Sequence, residues 1–339
     1  MLGSTRRAAL KSGLAVMTGG LAMPYIVRTG FAATPVRTLK LVFADTVAHP
    51  AFQAMLGFAE NVKKKTDGAI VINCYGAGQL GSESSQVSGL QTGIYDFAGQ
   101  TSGFVEALYP HFNVLDLPFL FPSADKAEKM LDGPVGATLL NELPAKGIYG
   151  LSYGWWGWRE LDAANRAAPE PKDIQGLKIR VQPGAIFAST FKTLKAIPVG
   201  IDITEVYLAL SDGTVGAIEV PIISVLANKL QEVLKVITLI NYDYNVGILM
   251  ASKRSFDRLD KKHQEAIRQA AQELTPTWRK MVGEASDKAA KDVAAKGVKI
   301  IPAEQVDRAA YRKAVEPVYQ QYRNIVGTDL MDAVLKAAA

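Results

Sequence analysis

Arg180 is the residue that its neighbours prepare best for holding an anion. It lies in a short alternating segment, in which Leu177, Ile179 and Val181 point one way while Lys178, Arg180 and Gln182 point the other. Pro183 and Gly184 stop this strand, and Ala185 to Lys195 reads as a helix. Arg180 therefore stands near the carboxyl end of a strand that feeds a helix N-terminus, the edge where ligands collect in open α/β sheets. A planar guanidinium beside the positive end of a helix dipole suits a carboxylate held by two parallel hydrogen bonds. The plainer alternative is an arginine that is solvated or paired with a surface acid.

Other chemistry finds less support. Gly76-Ala77-Gly78-Gln79-Leu80-Gly81 spells G-x-G-x-x-G between a strand and a helix, the pattern that admits a dinucleotide pyrophosphate. The next apolar run, however, ends in Gly99 and Gln100, with no acid there to hold a ribose. An exported nicotinamide-dependent oxidoreductase is thus a distant alternative, and the glycines read as a tight turn. His49, His111 and His263 are far apart and have no metal-ligand spacing. No G-x-S-x-G is present, and the single Cys74 sits in an apolar strand, where it cannot form an internal disulfide. No cofactor and no catalytic role is expected.

The elements that must position Arg180 alternate. Strands are expected at Leu39 to Ala44, Ala69 to Tyr75, Tyr95 to Ala98, Val236 to Ile240, Val246 to Ala251 and Val298 to Ile301. Helices are expected at Ala51 to Lys65, Ser82 to Gln91, around Ala124 to Leu131, Val135 to Leu143 and Val220 to Lys229. A long helix over Asp260 to Ala295, broken or kinked at Pro276, and an amphipathic helix over Ala303 to Arg323 complete the pattern, which implies an α/β layer architecture. With 339 residues the chain fits two lobes better than one, because single cores stop growing at about 250 to 300 residues.

The formal charge of +5 owes much to Arg6, Arg7, Lys11 and Arg28, all within the first 33 residues, where there is no acid. The remainder carries 34 basic against 33 acidic residues, so nucleic acid is not an expected partner. Those first residues have the layout of a twin-arginine export signal: Arg6-Arg7, a modest apolar run from Ser12 to Met23, and small residues at Ala32 and Ala33. The run is too short, and too interrupted by Gly13, Gly19, Gly20 and Pro24, to span a bilayer. Cleavage is expected near Ala33, leaving a periplasmic protein that is not embedded in the membrane.

GLKIRV, then Pro198, EVYLAL from Glu205 to Leu210, Gly213, Glu219 and Pro221 resemble the signature segment of the solute-binding proteins of tripartite ATP-independent periplasmic (TRAP) transporters, the DctP-like family. The likeness covers nearly all of the chain after the leader. It implies a two-lobed α/β periplasmic-binding-protein fold with hinge-crossing strands and a long helix along both lobes. Residues 37–155 plus about 246–285 would form one lobe and 156–245 plus about 286–339 the other, with the ligand cleft between them. It further implies capture of a small organic acid and partnership with DctQ-like and DctM-like membrane subunits, a zwitterion or sugar acid being the alternative ligand.

The same resemblance assigns site roles. The arginine at the Arg180 position grips the ligand carboxylate, and Gly157-Trp158-Arg159 looks like the G-x-R that supplies a second cleft arginine. Strand alternation would put Trp155 and Arg159 on one face and Trp156 and Trp158 on the other, and Trp156 is the ring expected at the cleft, where an aromatic wall favours an apolar or planar ligand body. Glu83, Gln100, Thr101 and Ser102 are polar candidates from the first lobe, with Glu219, Tyr242 and Tyr244 from the second and its crossing. Gly216 stands where an aspartate is usual and Ser211 where a glutamine is common, and Val220 replaces a polar contact of some sialic-acid binders, which disfavours a heavily hydroxylated sugar acid.

Overall fold

The computed structural model describes residues 36–339, so the expected leader and its cleavage point lie outside the described residues. In chain order the first half contains β1 (Arg37–Val42), α1 (Pro50–Lys65), β2 (Ile70–Tyr75), α2 (Glu83–Thr92), β3 (Phe97–Thr101), α3 (Ala124–Leu131), α4 (Pro134–Glu142) and β4 (Ile148–Trp155). There follow β5 (Arg159–Ala163), β6 (Lys178–Val181), α5 (Ala185–Thr193), β7 (Ile197–Gly200), α6 (Val206–Ser211), β8 (Ala217–Ile218), α7 (Ile222–Ala227) and β9 (Val236–Asp243). The chain then returns through β10 (Val246–Ser252), α8 (Lys253–Phe256) and α9 (Lys261–Ala295), and ends with β11 (Lys299–Ile301), α10 (Arg308–Ala314), α11 (Glu316–Val326) and α12 (Thr328–Ala338).

These strands form two sheets. The first has the order β2-β1-β3-β10-β4, with β10 antiparallel to both its neighbours, and the second has the order β11-β9-β5-β8-β6-β7. Each is covered by helices whose apolar residues recur at helical spacing: α1, for instance, buries Phe52, Met55, Phe58, Ala59 and Val62. The result is a two-lobed α/β fold in which each lobe has its own sheet, and a single hydrophobic core runs through both.

The lobes are joined by a two-stranded ribbon. Val246 pairs with Trp155 in the first sheet and Arg159 pairs with Asp243 in the second, and between them Trp156 N–H donates to Asn245 O at 3.1 Å. The expected alternation through Trp155 to Arg159 therefore does not hold. β4 stops at Trp155, Gly157 adopts a left-handed φ of 111°, and Arg159 opens a strand of the other sheet, so the phase restarts.

Helix α9 runs unbroken through Pro276 and packs on α1 and β4 of the first lobe and on α7 of the second. Its Trp278, fully buried, lies where Gly154 of β4 and Gly247 of β10 leave room, since a Cβ at either position would collide with the indole. The single helix expected over Ala303 to Arg323 is instead α10 and α11, because Pro317 at the start of α11 has no N–H with which to continue the preceding turn. The terminal helices touch both lobes, α12 packing on α3 and α4, and α11 on α5.

Candidate functional site

A cavity of about 20 Å³ lies where the lobes meet, walled by Asp45, Glu83 and Thr101 from the first, by Arg180, Gln182 and Ser224 among others from the second, and by Trp156 and Asn245 of the ribbon. Asp45, Thr101, Arg180 and Gln182 come from the loop after β1 and the carboxyl ends of β3 and β6, the edge that strand polarity favours for ligands, while Glu83 opens α2, Arg159 opens β5 and Ser224 lies on α7. A wider groove of about 500 Å³, lined by Pro118, Arg312, Tyr319 and Leu335 among others, shares no lining residue with this charged centre.

Two buried arginines share the cavity but differ in what they do. Arg159 is saturated: Nε and Nη2 donate to the two carboxylate oxygens of Glu219, Nη2 also donates to Glu219 O at 2.6 Å, and Nη1 donates to Gln182 Oε1 at 2.8 Å. Only one of its five N–H groups is left, and its Cζ lies 4.9 Å from the centre of the Phe187 ring. Burial opposes its charge, but Glu219 more than offsets this and holds it firmly protonated. Glu219 is fixed in turn, accepting the Tyr242 hydroxyl and, at 3.1 Å, the Gln182 N–H.

Arg180 is the opposite case. It is 1% exposed, its Nε donates to Ile201 O at 2.7 Å, and no other hydrogen bond or ion pair to the described residues engages its guanidinium. Burial lowers its pKa against the pull of Glu219 and Glu83, the signature of a cation kept in a dry place without a partner of its own. Glu83, across the cavity, accepts the Ile203 N–H at 2.8 Å and is pushed up to about 8, chiefly by burial, with Arg180 pulling it down and Asp45 pushing it up.

The remaining expected residues divide. Trp156 lines the cavity, its Nε1 donating to Asp45 Oδ2 at 3.0 Å, and Thr101 reaches over the cleft to Gln182 Oε1 at 3.3 Å. Gln100 is turned to Gln86 of α2, and Ser102 donates to Asp116 Oδ1 at 2.6 Å, so neither lines the cavity. Tyr242 stands behind Glu219, while Tyr244 stacks on Trp155 with centroids 5.1 Å apart; both point away from the cavity wall.

The α5 N-terminus, expected to help hold a ligand anion, is occupied from the first lobe by Glu106, whose Oε1 accepts the Ala185 N–H. Burial pushes this carboxyl up to about 7 against the lowering effect of the helix amides. The glycine turn has its amides committed as well: Ala77 N–H donates to Asp45 O at 2.7 Å and Gly78 N–H to Phe43 O at 3.2 Å, leaving neither for a phosphate.

Sequence reasoning passed over Asp45, Gln182, Ser224 and Asn245. Gln182 was legible, two residues beyond Arg180 on the same side of the strand, and Asn245, with φ of 47°, is a residue type that tolerates the left-handed turn of a crossing. Ser224 is held across the cleft by His49, whose Nδ1 accepts the Ala51 N–H, so that Nε2 carries the proton and donates to Ser224 Oγ at 3.2 Å. Burial lowers the pKa of His49 and keeps it neutral, with Asp45 pulling the other way.

Two lobes that meet on a buried cation with no counter-ion among the described residues are the arrangement of a ligand-binding protein. The chain belongs to the bacterial extracellular solute-binding proteins of family 7, DctP, whose family model matches residues 43–324, and it is a periplasmic solute-binding protein of the TRAP transporter type. It is 32% identical over 280 residues, 82% of its length and 85% of the relative's, to the 2,3-diketo-L-gulonate-binding periplasmic protein YiaO of Escherichia coli K12. It is 28% identical over 96% of its length and 95% of the relative's to the C4-dicarboxylate-binding periplasmic protein DctP of Rhodobacter capsulatus. Among solved structures it resembles the sugar acid binding protein DctPAm of Advenella mimigardefordensis in complex with galactonate, with a TM-score of 0.86, 31% identity, and coverage of 90% of this chain and 98% of that one. A TRAP solute-binding protein of Sulfurospirillum deleyianum with bound succinate matches with a TM-score of 0.82 and 27% identity, over 88% and 97% of the two chains.

Proposed function

We propose that this protein captures a small organic acid by seating its carboxylate on the free end of Arg180, closes its lobes on it, and presents the closed form to DctQ-like and DctM-like membrane subunits. The observation that carries this reading is the contrast between the two cationic side chains of the cavity: Arg159 is neutralised by Glu219, whereas Arg180 has no counter-ion among the described residues. A carboxylate arriving there supplies the missing charge and two hydrogen bonds in a water-poor site, where both are strongest. Arg159 then acts through position, holding Gln182 and Glu219 and offering a ligand at most its one remaining N–H.

Closure follows from differential affinity, since Glu83, Thr101 and Asp45 meet the second lobe and the ribbon only when the lobes are together. Asp45 and Glu83 in the same cavity keep the alternative open within this class. A hydroxyl or ammonium group on the acid would find an acceptor there, as a sugar acid or zwitterion requires.

A thermal-shift panel of mono- and dicarboxylates, sugar acids and zwitterions tests the reading. At least one acid should raise the melting temperature of the wild type and of no Arg180→Ala sample. An Arg180→Ala protein that binds the same acid with full affinity overturns it.

A further inference from the structure

The charges around the cavity suit a ligand with one carboxylate and not a ligand with two. Its lining carries two cations, Arg159 and Arg180, and two acids, Asp45 and Glu83, and the rest of the lining is uncharged. Glu219, which is not part of the lining, already neutralises Arg159. Among the described residues that wall the cavity, Arg180 is therefore the one cation whose charge a ligand can still meet.

The open atoms of the wall are of opposite kinds. Arg180 Nη1 and Nη2 and Glu83 Oε1 have no hydrogen-bond partner among the described residues, yet all three keep accessible surface, and both residues line the cavity. Each of the two side chains shifts the other's proton affinity although no ion pair joins them, which puts Glu83 near Arg180 but out of contact. Asp45 acts on Glu83 as well. Its Oδ1 accepts from Asn228 Nδ2 at 2.8 Å and its Oδ2 from Trp156 Nε1 at 3.0 Å, and each oxygen keeps a second lone pair.

A ligand that puts one carboxylate on Arg180 thus meets carboxyl groups with its other end. Burial pushes Glu83 up to about 8, so near neutrality it holds a proton; in that form it can donate or accept a hydrogen bond, but it supplies no positive charge. A cavity of about 20 Å³ has room for about one water, so a second anion there would be neither paired nor hydrated.

Resting on the seating of a carboxylate at Arg180, we infer that the cavity selects acids with a single carboxylate, Asp45 and Glu83 forming the wall that rejects a second one while accepting hydroxyl or ammonium hydrogens. Exchanging a distal hydroxyl or amide for a carboxylate strips that charge of water and sets it beside Asp45, with no cation to offset either loss. Arg159 could supply the offset only if Glu219 released it.

The test is calorimetric or competitive binding, at neutral pH, of three pairs that share a skeleton and differ at the distal end: succinamate with succinate, 3-hydroxybutyrate with malate, and galactonate with galactarate. In every pair that binds, the acid with one carboxylate should bind the wild type about tenfold tighter or more. Arg180→Ala should lose both members of each pair. Asp45→Asn takes a charge out of the wall, and Glu219→Gln keeps an oxygen for Arg159 while setting its charge free; each should cut the ratio by about threefold or more. Equal affinities or a preference for the dicarboxylates in the wild type, or ratios unchanged in both of these variants, overturn the inference and leave the Arg180 reading standing. Binding of none of the six acids, or undiminished binding by Arg180→Ala, overturns both.

Discussion

Replacing the two buried arginines in turn distinguishes a cation that holds the protein together from one that waits for a ligand. In Arg159→Met, Glu219 is left at 0% exposure without its counter-ion, and Gln182 loses the donor that orients it. Removing one member of a buried, hydrogen-bonded pair costs about 3–5 kcal/mol, because the survivor remains desolvated. At about 2–4 °C per kcal/mol for domains of 150–250 residues, the ligand-free melting temperature should fall by roughly 6–20 °C. Arg180→Met removes one hydrogen bond, to Ile201 O, and also relieves the burial of a charge that has no partner. A hydrogen bond is worth about 1 kcal/mol net, so the ligand-free change should stay within roughly 3 °C. The assay is thermal unfolding of both variants, alone and with an acid that stabilises the wild type. Arg159→Met should melt early, and Arg180→Met should melt nearly normally yet gain nothing from the acid. If Arg159→Met melts within 2 °C of the wild type, or Arg180→Met falls as far as Arg159→Met is expected to, the division of labour argued from their partners is wrong.

Closure should depend on pH through Glu106. Its carboxyl, pushed up from 4.5 to about 7 by burial, binds a proton more readily in the closed form than in the open one, so its contribution is complete below pH 4.5 and is lost as pH rises towards 7. Acid affinity measured by calorimetry should therefore weaken between pH 5 and 7, and Glu106→Gln should make that part of the curve shallower, the remaining slope coming from Glu83, which burial at the same interface pushes up to about 8; a superimposable profile would refute the assignment. Gly103→Ala should abolish ligand-induced stabilisation with little loss of ligand-free stability, since its methyl would strike Gln182 and Phe187 across the cleft and keep the lobes apart; small-angle scattering that still shows compaction with ligand would count against this. Cys74, pushed up to about 12 by burial with Glu60 adding to it, should resist alkylation at pH 8 in the native protein and react once the chain is unfolded, as followed by mass spectrometry.

The sequence was most informative where local rules apply. Alternation ending at Pro183 and Gly184 put Arg180 and Gln182 on one side at the carboxyl end of β6, and glycines and capping residues bounded most helices. It misled where a strand was assumed to continue. The ribbon between the lobes interrupts the phase at Gly157, and the crossing that drew attention to Tyr242 and Tyr244 contributes Asn245 to the cavity instead. Strand propensity has no means of registering such a change of sheet.

What the chain alone determined is the presence of a cation at a strand end and the alternation that builds the layers, because both follow from neighbours a few residues away. Which arginine would be neutralised was decided only by the tertiary structure. The second sheet places β8 between β5 and β6, so that Glu219, just beyond β8, meets Arg159 from 60 residues away and leaves Arg180 without a partner of its own. Pairing in a buried site depends on which strands become neighbours, and that order is set by packing both lobes at once rather than by any local pattern.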